Sequence, residues 1–233
     1  MVEQIMDAAV IGASRGTGLY LTEILAEKGW RVRAISRNPA PARSNVEPFS
    51  ADITRPDEIK GALSGGFDAV FFTADITGGV GNRGLFSSAD AVRAVTYGGC
   101  INAIDATRHS CPSARFILLS VMGVDQPSLL WSVLNVVKAG LKSITLEREH
   151  YLESSGLDYI ILRAPTLTYR DTVVSALKAT PPVHRLGIKL TLSRRNLANA
   201  LARAATAAPA RSTWDVLTEV PGRDTSSWLE HPI

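Results

Sequence analysis

Residues 8–39 constrain the fold more than any other part of this 233-residue chain. They read AAVIGASRGTGLYLTEILAEKGWRVRAISRNP: an apolar run, a glycine-rich turn, an amphipathic stretch and a second apolar run that ends at Arg37. That order predicts a strand, a turn, a helix and a second strand. Gly12, Gly16 and Gly18 permit a tight turn, close approach of backbone N–H groups to an anion and close helix–strand contact. The helix that begins near Gly18 aims the positive end of its dipole at the same point. Flanked by a strand and a helix, the spacing GxxxGxG implies a site for a dinucleotide pyrophosphate.

Short apolar runs alternate with helical patterns along almost the whole chain, the signature of parallel strands joined by crossover helices. The expected fold is therefore α/β, a Rossmann-like doubly wound parallel sheet forming a single domain over residues 1–233. Strands are expected at Ala8 to Ile11, Arg31 to Ile35, Glu47 to Ser50, Ala69 to Phe72, Arg115 to Leu119, Tyr159 to Leu162 and Trp214 to Leu217. Helices are expected at Gly18 to Lys28, Pro56 to Leu63, Ala89 to Arg108, Leu130 to Ser154 and Arg194 to Ala207. In the first helix Leu19, Ile24 and Leu25 make an apolar stripe, and Gly29 stands where a left-handed C-terminal cap is wanted.

Ligands of such sheets bind beyond the carboxyl ends of the strands. Weight therefore falls on Ser14, Arg15, Gly16, Thr17 and Gly18, on Ser36 and Arg37, on Asp52 and Ile53, on Thr73, Ala74 and Asp75, on Ser120 to Gly123, and on Ala164 to Leu167. Two long connections, 75–88 and 166–193, are candidates for the wall of a substrate pocket and, for the second, a small substrate lid.

Composition removes other classes. The formal charge of +3 comes from scattered Lys and Arg, with no basic run interleaved with aromatics, so no nucleic-acid partner is expected. Cys100 and Cys111 lack the spacing of a disulfide framework or a zinc site, so no metal is expected. The amino terminus lacks a basic segment ahead of a long apolar core, and no apolar run approaches the roughly 18 residues of a spanning helix. The expectation is a soluble, cytoplasmic protein with no membrane partner and a small-molecule substrate.

An adenosine ribose with free hydroxyls calls for an acid after the second strand, whereas a 2′-phosphate calls for cations. Ser36 and Arg37 hold that place, and Arg15 can approach the same phosphate from the glycine turn. NADP(H) is therefore expected over NAD(H). Asp52 can accept a bond from the adenine amine, or can serve as a helix entry ahead of Thr54 and Pro56, and the two roles are compatible.

Six stretches together resemble the atypical, NAD(P)H-binding branch of the short-chain dehydrogenase/reductase superfamily, which includes biliverdin-reductase-B-like flavin reductases and nitrogen-metabolite-repression regulators. They are VIGASRGTG at Val10 to Gly18, VRAISRNP at Val32 to Pro39, AD at Ala51 and Asp52, VTYGGCINAIDA at Val95 to Ala106, RFILLS at Arg115 to Ser120 and SGLDYIILRAPTL at Ser155 to Leu167. The resemblance implies that Thr73 and Ala74 flank the ribose-nicotinamide side and that Pro165, Thr166 and Leu167 cover the carboxamide. It also implies that Ser120 can hydrogen-bond a substrate carbonyl oxygen as charge develops.

Many members of that superfamily carry a Tyr and a Lys four residues apart on one helix face. Counted back from Arg163, those positions fall on Leu141 and Thr145, so the pair is not expected here. Lys142 is one residue off the face and Lys138 lies two turns earlier. His150, Tyr151, Tyr169 and His184 remain as possible proton sources, and with Ser120 the candidates for catalysis are Tyr169 and His184 of the lid. The first functional expectation is an NADP(H)-dependent oxidoreductase that delivers hydride to a small organic acceptor such as a flavin, tetrapyrrole, quinone or conjugated carbonyl. A redox-inactive NADP(H) sensor with a protein partner, and a non-redox cyclase, dehydratase or isomerase of small-molecule biosynthesis, stay open beside it.

Overall fold

Strand β1 (Asp7–Ile11) passes through the glycine turn into helix α1 (Gly16–Glu27) and returns as β2 (Arg31–Ser36). The computed structural model describes residues 6–74, 89–128, 131–134, 140–170, 177–187, 189–218 and 228–229. Next come β3 (Val46–Ser50), α2 (Pro56–Ala62) and β4 (Ala69–Phe72). One helical run, α3, is α-helical over Ala89–Val92, π-helical over Arg93–Gly98 and α-helical again over Gly99–Ser110. Then follow β5 (Arg115–Val121), α4 (Leu141–Ser154) and β6 (Asp158–Ala164). The short strands β7 (Thr166–Thr168), β8 (Lys178–Thr180) and β9 (Thr191–Ser193) precede α5 (Arg194–Ala207) and β10 (Ser212–Leu217).

The sheet order is β3-β2-β1-β4-β5-β6-β10-β8, parallel throughout except for β8, which runs antiparallel to β10. The chain reverses its direction of travel across the sheet between β1 and β4, and the crevice at such a reversal is where ligands of this architecture bind. Helices cover both faces. Ala8 and Val10 pack with Leu21 and Leu25 of α1 and with Leu197 and Leu201 of α5. Ala9 and Ile11 point the other way, to Ile59 of α2, Ile104 of α3 and Leu152 of α4. Burial on both sides is why the inner strands read as unbroken apolar runs. The fold is the Rossmann-like doubly wound domain that the alternation implies.

Helix α1 ends as its sequence predicts: Gly29, at φ +81°, donates to the Ala26 carbonyl at 3.0 Å while Trp30 donates to Leu25 at 3.0 Å, a Schellman cap. Its buried stripe is Leu21, Ile24 and Leu25, with Leu21 in the place expected for Leu19, which is only half-buried. Two expectations fail for clearer reasons. The helix expected from Leu130 to Ser154 is broken at Gly140, whose φ of +76° leaves the helical region, so α4 starts only at Leu141. The long connection expected over 166–193 is not a plain loop. In it β7 pairs parallel with β9, while β8 becomes the antiparallel edge of the main sheet. The connection 75–88, residues 171–176 of the lid, Leu130 and Lys138 lie outside the described residues. Among the described residues no helix is long and apolar enough to cross a membrane.

Candidate functional site

The glycine turn is built by close backbone contact. Gly12 and Ala13 both donate to the Ile35 carbonyl, at 2.9 and 3.2 Å, which folds the turn over the end of β2. Thr73 donates to the Ile11 carbonyl through its amide and its hydroxyl, both at 2.9 Å, fastening the end of β4 to β1. A Cβ on Gly12 would stand 2.7 Å from the Ala74 amide nitrogen, and one on Gly18 would stand 2.3 Å from the Gly12 carbonyl oxygen. Among the described residues no side chain caps α1, whose N-cap Arg15 is extended, so its first amides remain available to an anion. Three buried polar atoms around this turn and the adjoining helix ends, Thr17 Oγ1, Ser36 Oγ and Arg194 Nε, have no hydrogen-bond partner among the described residues. A cradle too tight for a side chain, beside orphaned donors, fits a dinucleotide.

Gly18→Ala is expected to cost at least about 3 kcal/mol of stability, because the methyl group meets backbone rather than a side chain that could swing away. Gly16 differs. Its φ is +59°, but the nearest atoms to an added Cβ are 3.5 Å off, so Gly16→Ala should keep the fold at a cost of roughly 1–2 kcal/mol in backbone strain. Chemical denaturation of the two variants separates these outcomes.

At the end of β2, Ser36 is buried while Arg37 and Arg15 are exposed. Asp52 takes the turn role in full: its Oδ1 accepts from the Thr54 amide at 2.9 Å and the Thr54 hydroxyl at 2.8 Å, and its own amide donates to Glu58 at 2.8 Å. The Thr54 amide, acting against the cost of burial and joined by the Thr54 hydroxyl and the Arg37 and Arg55 charges, holds the Asp52 carboxyl below its ordinary value. Asn102 of α3 donates to the Ile53 carbonyl at 2.9 Å and so pins the loop that follows β3.

Toward β5 and β6 the site turns ionic. Ser120, buried at the end of β5, donates its hydroxyl to Glu149 Oε1. Arg163 of β6 donates to Glu149 Oε2 at 2.7 Å and to Asp125 at 2.8 Å. Burial alone would lower the Arg163 guanidinium, but the hydrogen bonds and charges of Glu149 and Asp125 more than offset it and raise it. Asp215 of β10 is the register partner of Arg163, and its Oδ2 lies 3.0 Å from both the amide nitrogen and Nδ1 of His184. Burial pushes the Asp215 carboxyl up, opposed by the hydrogen bonds from His184. The segment carrying His184 is tied to the loop after β5 by a 2.8 Å bond from the Ser128 hydroxyl to the Leu186 carbonyl.

The expected residues thus fall into two groups. Gly12, Ser14, Arg15, Gly16, Thr17, Gly18, Ser36, Arg37, Asp52 and Ile53 follow β1, β2 and β3, with Thr73 and Ala74 after β4. Ser120 and His184 belong to the ionic group near β5, β6 and β10, and Pro165, buried between β6 and β7, leads into Thr166 and Leu167 of β7. Tyr169 parts from His184: its hydroxyl is 3.7 Å from the Cβ position of Gly16, over the glycine turn. Leu141 and Thr145 are buried, with the Thr145 hydroxyl donating to the Leu141 carbonyl at 2.8 Å. Lys142 donates to the Gln126 carbonyl at 3.1 Å, Tyr151 donates to Asp105 at 2.8 Å, and His150 is exposed. A cleft of about 520 Å³ at the amino ends of β1, β2 and β3 lies away from all of this, and its Arg31 and Arg33 are paired with Asp7 and Glu47.

Residues 12–208 match the family model described as NAD(P)H-binding. The chain belongs to the NAD(P)H-binding family. No curated protein matches the sequence. Solved structures share the fold at low identity. The oxidoreductase YlbE of Lactococcus lactis is 18% identical with a TM-score of 0.72, over 91% of this chain and 90% of that one. A short-chain dehydrogenase/reductase of Veillonella parvula, solved in complex with NADP, is 18% identical with a TM-score of 0.69, over 94% and 96%. ChuY, an anaerobilin reductase of Escherichia coli, is 18% identical with a TM-score of 0.68, over 94% and 100%.

Sequence reading overlooked Glu149, Asp125, Asp215 and Arg194. One signal was present: Arg163 interrupts the apolar run of β6, and a cation in a buried strand requires an acid opposite. Glu149 also stands one helical turn beyond Thr145, on the same buried face.

Proposed function

We propose that this member of the family is an NADP(H)-dependent reductase that passes hydride to a small organic acceptor and supplies no tyrosine–lysine pair for its protonation. The observation that carries the reading is the bonding of Ser120. A serine hydroxyl has one proton, and here it goes to Glu149, so its oxygen is left to accept rather than to polarise a substrate carbonyl. With Leu141 and Thr145 at the helix positions where many superfamily members carry a tyrosine and a lysine, acceptors that take up hydride and draw their proton from water suit the site. Flavins, quinones and tetrapyrroles are such acceptors, and the anaerobilin reductase among the fold neighbours accords with this class. Reduced nicotinamide supplies the hydride when bound. Arg15 and Arg37, with the Ser36 hydroxyl, would hold the 2′-phosphate, while the glycine turn would hold the diphosphate.

NADPH is expected to bind at least tenfold more tightly than NADH, or about 1.4 kcal/mol, through charge-assisted arginine contacts. Fluorescence titration measures the ratio, and Arg15→Ala combined with Arg37→Ala should bring it close to one. A preference that survives both substitutions places the 2′-phosphate elsewhere. Absorbance of reduced nicotinamide, followed with a panel of flavins and quinones, tests turnover. The commitment of Ser120 to Glu149 also favours a redox-inactive NADP(H) sensor, which would bind without consuming NADPH under any acceptor.

A further inference from the structure

Strands β7 and β9 end in register, Thr168 opposite Ser193, so the residues that follow them, Tyr169 and Arg194, leave the pair side by side. The Ser193 hydroxyl accepts from the Asn196 amide at 3.1 Å, which caps α5 and fixes the direction in which Arg194 departs. The Arg194 guanidinium lies 4.7 Å from the centre of the Tyr169 ring. Both side chains stand over the glycine turn: Arg194 Cδ and Nη1 are each 3.5 Å, and the Tyr169 hydroxyl 3.7 Å, from the Cβ position of Gly16. Arg194 Nε is buried there with no hydrogen-bond partner among the described residues.

An arginine resting on a surface tyrosine for packing alone would keep its Nε hydrated. Here the Nε is buried with no acceptor among the described residues, a cost that an anion at this point would offset. The first turn of α1 meets the same spot with amides that no described side chain caps, and the neighbouring Thr17 hydroxyl also has no partner among the described residues. Donors from two separate elements, α1 and α5, therefore converge on Gly16. A diphosphate has oxygens enough for both sets, and the planar guanidinium, held by the ring beneath it, matches them geometrically.

We infer that Arg194, oriented by Tyr169, is a second holder of the dinucleotide diphosphate, closing over the glycine turn from the β7–β9 side. This rests on the NADP(H)-binding reading. It gives Tyr169 a place at the phosphates instead of at the acceptor. Since NADPH and NADH share the diphosphate, Arg194 serves both alike, whereas Arg15 and Arg37 act on NADPH alone.

Calorimetric titration of the full chain, the wild type beside Arg194→Met, Arg194→Lys and Tyr169→Leu, with NADPH, NADH, ADP-ribose and adenosine 2′-monophosphate tests this. Arg194→Met should weaken the three diphosphate ligands by about 10- to 100-fold and adenosine 2′-monophosphate by less than about twofold. Arg194→Lys should recover part of the loss, and Tyr169→Leu should cost roughly three- to tenfold on the same three ligands. Unchanged melting temperatures without ligand show that the variants fold. If Arg194→Met binds all four ligands as the wild type does, the inference is wrong and the reductase reading stands. Weakening of NADPH and adenosine 2′-monophosphate with NADH untouched also overturns it, by moving Arg194 to the 2′-phosphate. A wild-type chain that binds neither dinucleotide removes the reading on which it rests.

Discussion

Glu149→Ala should lower the free energy of unfolding by about 3–5 kcal/mol, because it strands a buried charge instead of merely deleting a contact. The Glu149 side chain is 1% exposed and that of Arg163 7% exposed, so water cannot replace the lost carboxylate. Asp125 would remain as a partner of Arg163, yet it is 39% exposed and bonds a single nitrogen of the guanidinium. Arg148, also buried, already has Nε and Nη1 without partners among the described residues, which leaves the layer between α4 and β5 poorly placed to absorb another bare cation. In a chain of this length each kcal/mol moves the melting temperature by roughly 2–4 °C, so a fall of about 6–20 °C is expected. The control is the double variant Glu149→Leu with Arg163→Met. Removing both charges together avoids the stranded ion, so the double variant should melt above either single one. A Glu149→Ala protein that melts within about 2 °C of the wild type would mean that the cluster is hydrated or differently paired.

The contrast between the two halves of the site explains what sequence could reveal. The β1–α1–β2 unit is legible because its determinants are local: strand, glycine turn, helix and Schellman cap are written in consecutive residues, and each demands the next. Arg15, Ser36 and Arg37 could be placed on that frame by counting alone. The ionic cluster has no such frame. Ser120 and Glu149 are 29 positions apart and meet because α4 brings Glu149 back to β5, while Arg163 and Asp125 are 38 apart and meet because β6 lies beside β5 and the loop that leaves it. Periodicity marks Glu149 as facing inward with Thr145, but not which strand residue waits there. The meeting of Arg194 with Tyr169 was hidden for another reason. Strands of three residues, such as TLT in β7 and TLS in β9, are too short to register as alternation, so the pairing that brings residues 169 and 194 together reads as loop. Gly140 was misread in the opposite sense, since a glycine within a long helical pattern is tolerated as often as it terminates one.

Acceptors that need only hydride should be reduced faster than simple ketones of similar size by about 10²- to 10⁴-fold, the usual worth of general-acid assistance. A ketone becomes an alkoxide unless a proton arrives with the hydride, and the residues near β5 are poorly disposed to deliver one. Ser120 donates to Glu149, Thr145 donates to a helix carbonyl, and Leu141 has nothing to give. Tyr169 stands at the glycine turn. That leaves His184, whose Nδ1 faces the buried Asp215 carboxylate and whose side chain is 18% exposed. An Asp–His pair is a competent acid when the free Nε2 reaches the substrate, so it defines the contrary result. Steady-state rates on matched quinone and ketone acceptors, with His184→Asn and Ser120→Ala beside the wild type, decide between them. In the expected case both variants reduce quinones within about threefold of the wild type, and ketones stay slow in all three proteins. Vigorous ketone reduction that His184→Asn abolishes and Ser120→Ala spares would instead make the Asp215–His184 pair the proton donor. Ketone reduction lost with Ser120→Ala alone would mean that the hydroxyl leaves Glu149 when substrate binds and turns to the carbonyl, so that Glu149 acts in the apo protein as its temporary acceptor.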